Sequence, residues 1–379
     1  MRVLVVNAGS SSLKHALVDS ASDAVLARGE ERWEPDDEAG RHAGALRAAL
    51  AAADSGAAEA VGHRVVHGGT RFDGPVSIDR DVRAAIAELA PLAPLHTRAA
   101  LEGIDAAAAA LPRLAQVASF DTAFHRTLAP EASTYPLPRE WSERFGLRRY
   151  GFHGINVSWC YERALRALGA ERCERLVVCH LGSGCSVSAV RDGRSIDTTM
   201  GFTPLEGMPM ATRSGSIDPG LLLHLLASGI DAGELDEALN HRSGLLGIAG
   251  VADLREVERA ALDGDKHAQL AFDVLVRGAA SAIAAMSTSL CGLDALVFSA
   301  GAGEHSSLLR ASVCARLAHL GVVLDPASNA RDAGRISAQR APVAVLVVPA
   351  GEEIVIARET ARVLGVVHGS LGAATSLGG

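Results

Sequence analysis

Short apolar runs closed by small polar turns open the chain and recur near its middle. Residues 2–19 read R-V-L-V-V-N-A-G-S-S-S-L-K-H-A-L-V-D, and residues 175–192 read R-L-V-V-C-H-L-G-S-G-C-S-V-S-A-V-R-D. Each is an apolar run, a polar residue (Asn7 or His180), a Gly/Ser turn and a second apolar run ending in Asp. That pattern predicts strand, tight turn, strand in both places. One such hairpin alone needs no function, but its repetition points to an internal duplication. The turn glycines Gly9 and Gly182, with their hydroxyl neighbours, offer N–H and O–H groups to an anion, which is what a phosphate cradle requires.

Between and beyond the hairpins the same criteria predict further elements. A charged segment over 30–41 reads as loop or strand edge, and an Ala-rich helix follows over 44–53. The run Ala60–Val66 is a strand entering the glycine turn Gly68-Gly69, with Arg64 in an apolar context. A buried arginine wants an anion, either a ligand or a carboxylate of the protein itself. A helix over 83–89 is broken at Pro91–His96, and another spans 98–111. The strand 116–120 ends at Asp121, which is placed either at a ligand crevice or as a cap of the next helix. His153 lies in a loop between aromatic and glycine residues, and residues 195–219 form a long polar, glycine-punctuated loop of the kind that is usually functional. Helices are expected over 219–228 and 265–291, a glycine turn over 298–306, and a strand over 343–348. Glu352 and the final helix 354–364 follow, and a small-residue tail closes the chain over 369–379.

Composition narrows the class. The 379 residues are 48% hydrophobic, 21% charged and only 4% aromatic, so the core is aliphatic and there is chain enough for two domains. Net charge is −8 with no basic block, which argues against nucleic acid. Lys14 and Lys266 are the only lysines, and Lys14 sits in the first hairpin. Six cysteines without a C-x-x-C pair read as reduced thiols of a cytoplasmic protein. The stretch 278–293 is uncharged but falls short of a bilayer span, so no membrane association is expected. A Walker A loop is excluded because Gly-Lys occurs nowhere, and neither Gly/Ser turn carries the Rossmann spacing.

Assembled, these pieces closely resemble the acetokinase family, of the acetate and propionate kinase type. The resemblance runs through N-A-G-S-S-S-L-K, G-H-R-V-V-H-G-G, D-T-A-F-H, R-R-Y-G-F-H-G, H-L-G-S-G, D-T-T-M-G-F-T-P-L-E-G, T-R-S-G-S-I-D-P-G and A-G-A-G-E-H, and covers nearly the whole chain. It implies an α/β, duplicated ribonuclease-H-like fold of the actin, Hsp70 and sugar-kinase type, with the active site in the interdomain cleft. The expected domains are 1–120 with 354–379, and 121–353. The implied reaction is reversible transfer of the γ-phosphoryl group of ATP to a short carboxylate, in the presence of Mg²⁺ or Mn²⁺, by a homodimer.

Carried over position by position, the resemblance makes Asp121 the catalytic aspartate and His153 the histidine that stabilises the transition state. Arg64 and Arg213 become the arginines that clamp carboxylate and phosphoryl. Asn7 and Glu352 fall in the metal region. Lys14, His180, Gly182, Ser183, Gly184, Asp253, Leu254, Arg255, Gly301, Ala302, Gly303 and His305 fall at nucleotide positions. Val66, Leu95, Phe152 and Pro204 line the pocket for the alkyl end of the acid. Departures are H-L-G-S-G for the usual H-L-G-N-G, G-F-H-G-I-N-V for G-F-H-G-T-S-H, Leu95-His96-Thr97-Arg98 for L-H-N-P, and Ala350-Gly351-Glu352-Glu353 for T-N-E-E.

The chemistry suits these residue types. A carboxylate is a weak nucleophile and its target is an anion, so both must be held in line while their repulsion is neutralised. Arginine's planar fork matches both partners better than lysine. The rival readings are a propionate or butyrate kinase, and a nucleotide-binding regulator on the same fold. A regulator has no need of the combined set Arg64, Asp121, His153, Arg213 and Glu352.

Overall fold

The structure, a computed structural model, describes residues 1–9, 12–32, 44 and 57–366, and the side chains of 94 and 95 are left aside. The serines of the first turn, nearly all of the helix expected over 44–53, the segment beyond Arg32 and the tail 369–379 lie outside the described residues. The chain divides into two compact units, Met1–Ala123 with Gly351–Gly379, and Phe124–Ala350. Asp121 and Glu352, expected on the second domain, therefore belong to the first unit. The Asp121 N–H is bonded to the Val65 carbonyl of that unit, 3.0 Å away, which keeps it there.

Unit 1 is built on a six-stranded sheet of β1 (Arg2–Ala8), β2 (Ser12–Asp19), β3 (Ala24–Arg32), β4 (Ala60–Val65), β5 (Val76–Ser77) and β6 (Ala115–Phe120), in the order β3-β2-β1-β4-β6-β5. β1 pairs antiparallel with β2 and parallel with β4, which is parallel to β6. The alternating side chains of β1 serve two faces, as period-2 geometry demands. Leu4 and Val6 join Leu13, Val61, Ala106 and Ala107 under the helix Pro94–Ala110. Each such buried aliphatic side chain stabilises the fold by roughly 1.5–3 kcal/mol. On the other face Gly62 opens room for the helix Glu352–Val363. A side-chain carbon there would stand 2.6 Å from Thr360 Oγ1 and 2.7 Å from Ile356 Cγ2. That contact returns the C-terminal helix to the first sheet. The helix expected to begin at 98 starts at Pro94, because a proline suits the first turn of a helix and breaks only its interior.

Unit 2 repeats the plan with β7 (Leu176–Leu181), β8 (Cys185–Arg191), β9 (Arg194–Thr198), β10 (Ala295–Ser299) and β11 (Ala344–Val347), ordered β9-β8-β7-β10-β11. Again a hairpin precedes the parallel strands, with β7 antiparallel to β8 and parallel to β10. The two sheets thus share five strands in the same order and sense, the duplicated ribonuclease-H-like arrangement. All six residues of β7 are buried, as a strand covered on both faces should be. The helix Lys266–Ser289 is long and apolar enough to cross a membrane, contrary to the shorter span read from the sequence, yet half of its most apolar window is buried inside the unit. It is a core helix packed on the second sheet.

Candidate active site

In unit 1 the site residues gather at the ends of β4 and β6. Asp121 follows the last residue of β6 and is 1% exposed, and both of its carboxylate oxygens accept from Arg64, at 3.1 Å from Nε and 2.6 Å from Nη2. The anion that Arg64 requires is therefore supplied by the protein, and Asp121 is committed to that fork rather than to capping. Burial alone opposes the charge on Arg64, but Asp121 and Glu352 outweigh it and hold the guanidinium well above its ordinary range. Glu352 opens the C-terminal helix. Burial raises its carboxyl, Arg64 counteracts this, and Asp121 and Glu353 add to the rise. Asn7 and Lys14 face each other in the β1–β2 ladder. Val66 is half-buried just beyond β4, while the side chain of Leu95 lies outside the described residues.

In unit 2 the second Gly/Ser turn is the organising element. His153, at the start of the helix Gly154–Leu168, adopts φ 59° and ψ 20°. That left-handed conformation is uncommon for a residue with a Cβ and tends to persist where surroundings enforce it, often at functional sites. Its ring stacks on His180, with centroids 4.0 Å apart and planes 15° from parallel, and its Nδ1 is 3.0 Å from Ser186 Oγ. His180 is the penultimate residue of β7, two before the turn glycine Gly182. A carbon placed on Gly184 would be 3.4 Å from Arg213 Nη1 and 3.5 Å from the His153 ring, so both side chains border that turn.

Arg213 differs from Arg64. Its hydrogen bonds among the described residues are from Nη1 to the Pro204 carbonyl, 3.3 Å, and to Met210 Sδ, 3.9 Å. Burial lowers its hold on the proton, offset in part by the Cys185 thiol. A guanidinium kept from water without a carboxylate is costly unless an anion arrives. The loop carrying it is tied down by Glu206, which accepts from Arg149 at 2.6 Å and from the Tyr135 hydroxyl. Phe152 is wholly buried, and its carbonyl is 2.9 Å from Nε2 of the buried His125.

Beside the turn lies a cavity of about 420 Å³. Gly182, Ser183, Asp253, Leu254, Arg255, Gly301, Ala302 and His305 line it, together with Leu181, Met210, Leu245, Leu275 and Leu309. Its apolar walls suit a flat base, and the Gly/Ser turn at its rim suits phosphates. Asp253 caps the helix Leu254–Leu262 and is drawn down to about 2, chiefly by the Arg255 side chain. Gly184, Gly303 and His180 adjoin the cavity through the chain without lining it, and Lys14 belongs to unit 1.

The structure adds residues that the sequence does not single out. Ser186 orients His153. Asn156 and Ser299 stand behind His180. Glu258, whose carboxyl is raised by burial, receives the Ser306 hydroxyl inside the cavity. Arg310, wholly buried, donates to the carbonyls of Gly303 and Glu304. The spacing His153 to Asn156 at the start of a helix was a usable signal, since three residues place a side chain one turn on. Among the described residues no group of three or more His, Cys, Asp or Glu side chains is arranged to hold a metal ion. A cation here would be bound by one or two protein groups and by phosphates, as Mg²⁺ commonly is.

A family described as the acetokinase family matches residues 30–358. An acetate kinase of Synechococcus sp. (strain JA-2-3B'a(2-13)) is 45% identical over 397 residues, covering 94% of this chain and 98% of that protein. Among solved structures, a propionate kinase from Francisella tularensis subsp. tularensis SCHU S4 superposes with a TM-score of 0.88 at 35% identity, covering 95% of this chain and 99% of the other. Acetate kinase from Porphyromonas gingivalis gives a TM-score of 0.86 at 34% identity, covering 96% and 99%.

Proposed function

The chain belongs to the acetokinase family, and on that premise we propose that it is an acetate kinase, moving the γ-phosphoryl group of ATP reversibly onto acetate to give acetyl phosphate and ADP. The observation that carries the reading is Arg213, a guanidinium with no carboxylate partner among the described residues, bordering the same Gly184 turn as His153. A carboxylate oxygen of acetate attacks the γ-phosphorus, an O–P bond forms, and the bridging P–O bond breaks with its electron pair leaving on ADP. Arg213 and His153 donate to the phosphoryl oxygens as charge moves onto them. The Gly182–Gly184 turn and His180 hold the remaining phosphates, and the 420 Å³ cavity takes the nucleoside.

Unit 1 supplies the carboxylate side. Asp121 occupies two of the five N–H donors of Arg64, which fixes the fork and leaves the others for acetate. Asn7 and Glu352 fit a divalent cation, Mg²⁺ or Mn²⁺. The Glu352 carboxyl is raised by burial and by Asp121, and a nearby positive charge would favour its ionised form. Such an ion, when bound, neutralises charge on the ATP phosphates.

Hydroxylamine trapping tests the reaction. Acetyl hydroxamate formed from ATP, acetate and Mg²⁺ supports the proposal, while ATP binding without hydroxamate would instead support the nucleotide-binding regulator. The likeness to a propionate kinase structure favours a second reading in which propionate is also used. An apolar pocket separates one methylene by only about 1–3 kcal/mol, so propionate should be a poorer substrate rather than none. Val66→Ala should narrow the acetate-over-propionate ratio of kcat/KM, mainly through KM; an unchanged ratio would remove Val66 from the pocket.

The same proposal includes a cytoplasmic homodimer. Free thiols, five of the six buried, fit a reducing compartment. The helix Pro219–Ala227 has no buried residue, and Leu221, Leu223 and Leu226 are 45%, 68% and 42% exposed, which supports a second copy covering it.

A further inference from the structure

We propose that Asn156 is a positioning residue that fixes the tautomer of His180, so that the ring presents a neutral Nε2–H donor to the Gly182–Gly184 turn. The kinetic consequence rests on the phosphoryl-transfer reading above; the tautomer itself does not. Asn156 is wholly buried in the first turn of the helix Gly154–Leu168, and it is the middle of the three residues at which G-F-H-G-I-N-V departs from the family's G-F-H-G-T-S-H. Its Nδ2 lies 2.8 Å from His180 Nδ1 and 3.1 Å from Ser299 Oγ. Its Oδ1 has no partner among the described residues.

An amide can be seated two ways, and the hydrogen-bond network decides between them. With Nδ2 toward His180, both amide N–H groups are satisfied and one acceptor is not. Turned over, Oδ1 would face His180 and Ser299, and two donors would be buried where Oδ1 now finds nothing. Orphaned buried donors are the rarer and costlier outcome. With Nδ2 donating, His180 Nδ1 must accept, and the single proton of the neutral ring resides on Nε2. That atom faces the turn, since a carbon on Gly182 would lie 3.5 Å from it. An imidazolium would set Nδ1–H against the amide donor. It would also stand beside the stacked His153 ring, 4.0 Å away, and near the Arg213 guanidinium that borders the same turn at Gly184. The flanking thiols Cys179 and Cys185 are both pushed up by burial, so they offer no anion to stabilise it. Asn156 therefore gives the phosphate turn a donor that does not depend on pH in the imidazole range.

The test is long-range ¹H–¹⁵N correlation on the full chain labelled with ¹⁵N-histidine, His180 being assigned by the signals lost in His180→Gln. The expected spectrum has His180 Nδ1 unprotonated and Nε2 protonated; a proton on Nδ1 overturns the proposal. Asn156→Leu should release the preference, giving mixed tautomers and a kcat lower by about 10- to 100-fold, the scale on which hydrogen-bond partners of metal-bound histidines act. Its kcat should also acquire a pH dependence near the ordinary imidazole value of about 6.5, absent from the wild type. An Asn156→Leu ring that stays wholly in the Nε2–H form, with kcat and its pH profile unchanged, overturns the role. The wild-type spectrum decides the tautomer whether or not acyl phosphate is formed, so the two readings fail separately.

Discussion

Two arginines in this chain reach a low-water environment by opposite routes. Arg64 is neutralised in advance by Asp121, so its burial needs no ligand, whereas Arg213 rests on a carbonyl and a thioether. Under the proposed function, the difference leaves Arg213 the larger share of work on an incoming anion. Arg213→Gln should lower kcat/KM by about 3 kcal/mol or more, mostly in kcat, with the fold intact. Near wild-type turnover by a folded variant would remove it from the phosphoryl site. A different residue makes stability sensitive to acid. His63, on β4, is held at about 4 by burial, partly offset by its contact with Gln116, 2.6 Å away, against an ordinary value of 6.5. The unfolded chain takes up a proton as pH falls below about 6.5, and the folded chain does not until about 4. Stability is therefore lost across that window, by roughly 3 kcal/mol from this residue. The Tm of His63→Leu/Gln116→Leu should vary less between pH 6.5 and 4 than that of the wild type; parallel curves would show that His63 is not the source.

At the scale of elements, what was legible followed from local pattern. The two hairpins announce themselves because strand, turn and strand lie within eighteen residues of each other, and pairing by neighbours needs no distant partner. The helix Ala232–His241 leaves no apolar signal because none of its residues is buried, and Pro94 marks a helix start although prolines in a run look like a break. Contacts made across long separations were not legible at all. Arg310 reads in the sequence as one more arginine on a helix. In the fold it bonds Asn329 through Nε at 2.8 Å and Nη2 at 2.9 Å, reaches Asp332, and ties the carbonyls of Gly303 and Glu304 at 2.9 and 2.7 Å. It thereby closes the short helix Ala300–His305, whose Gly301, Ala302 and His305 line the cavity. Arg310→Met should strand those acceptors, costing about 3–5 kcal/mol of stability. In whatever fraction remains folded, KM for ATP should rise while KM for acetate stays near its wild-type value. A variant that loses neither stability nor ATP affinity would show that the loop holds its shape unaided.

For the whole molecule, the duplication gives two sheets of like order, with the candidate residues Arg64, Asp121 and Glu352 on one unit and His153, His180 and Arg213 on the other. The sequence carried the duplication in its hairpins, and the family resemblance carried the proposed roles. What neither carried was the surface. The apolar residues 278–289 belong to the core helix Lys266–Ser289, whereas an exposed apolar face lies on the helix Pro219–Ala227. That helix is nine residues long, capped by Asp218, and holds no fully buried residue, only Leu222 and Leu225 being partly covered. A helix this short draws most of its stability from packing, so a cover over its three exposed leucines would add support. In the proposed dimer a second copy of the chain would supply the same leucines symmetrically, which is an economical way to bury a self-complementary face. Leu223→Glu places a charge at the most exposed of those three leucines, 68% exposed, and should convert a dimer to a monomer by light scattering at micromolar concentration. Leu262→Glu is the matched control, because Leu262 is 78% exposed yet lies on a different helix, and its mass should remain that of the dimer. A wild type that is already monomeric, or a Leu223→Glu variant that stays dimeric, would separate this helix from assembly.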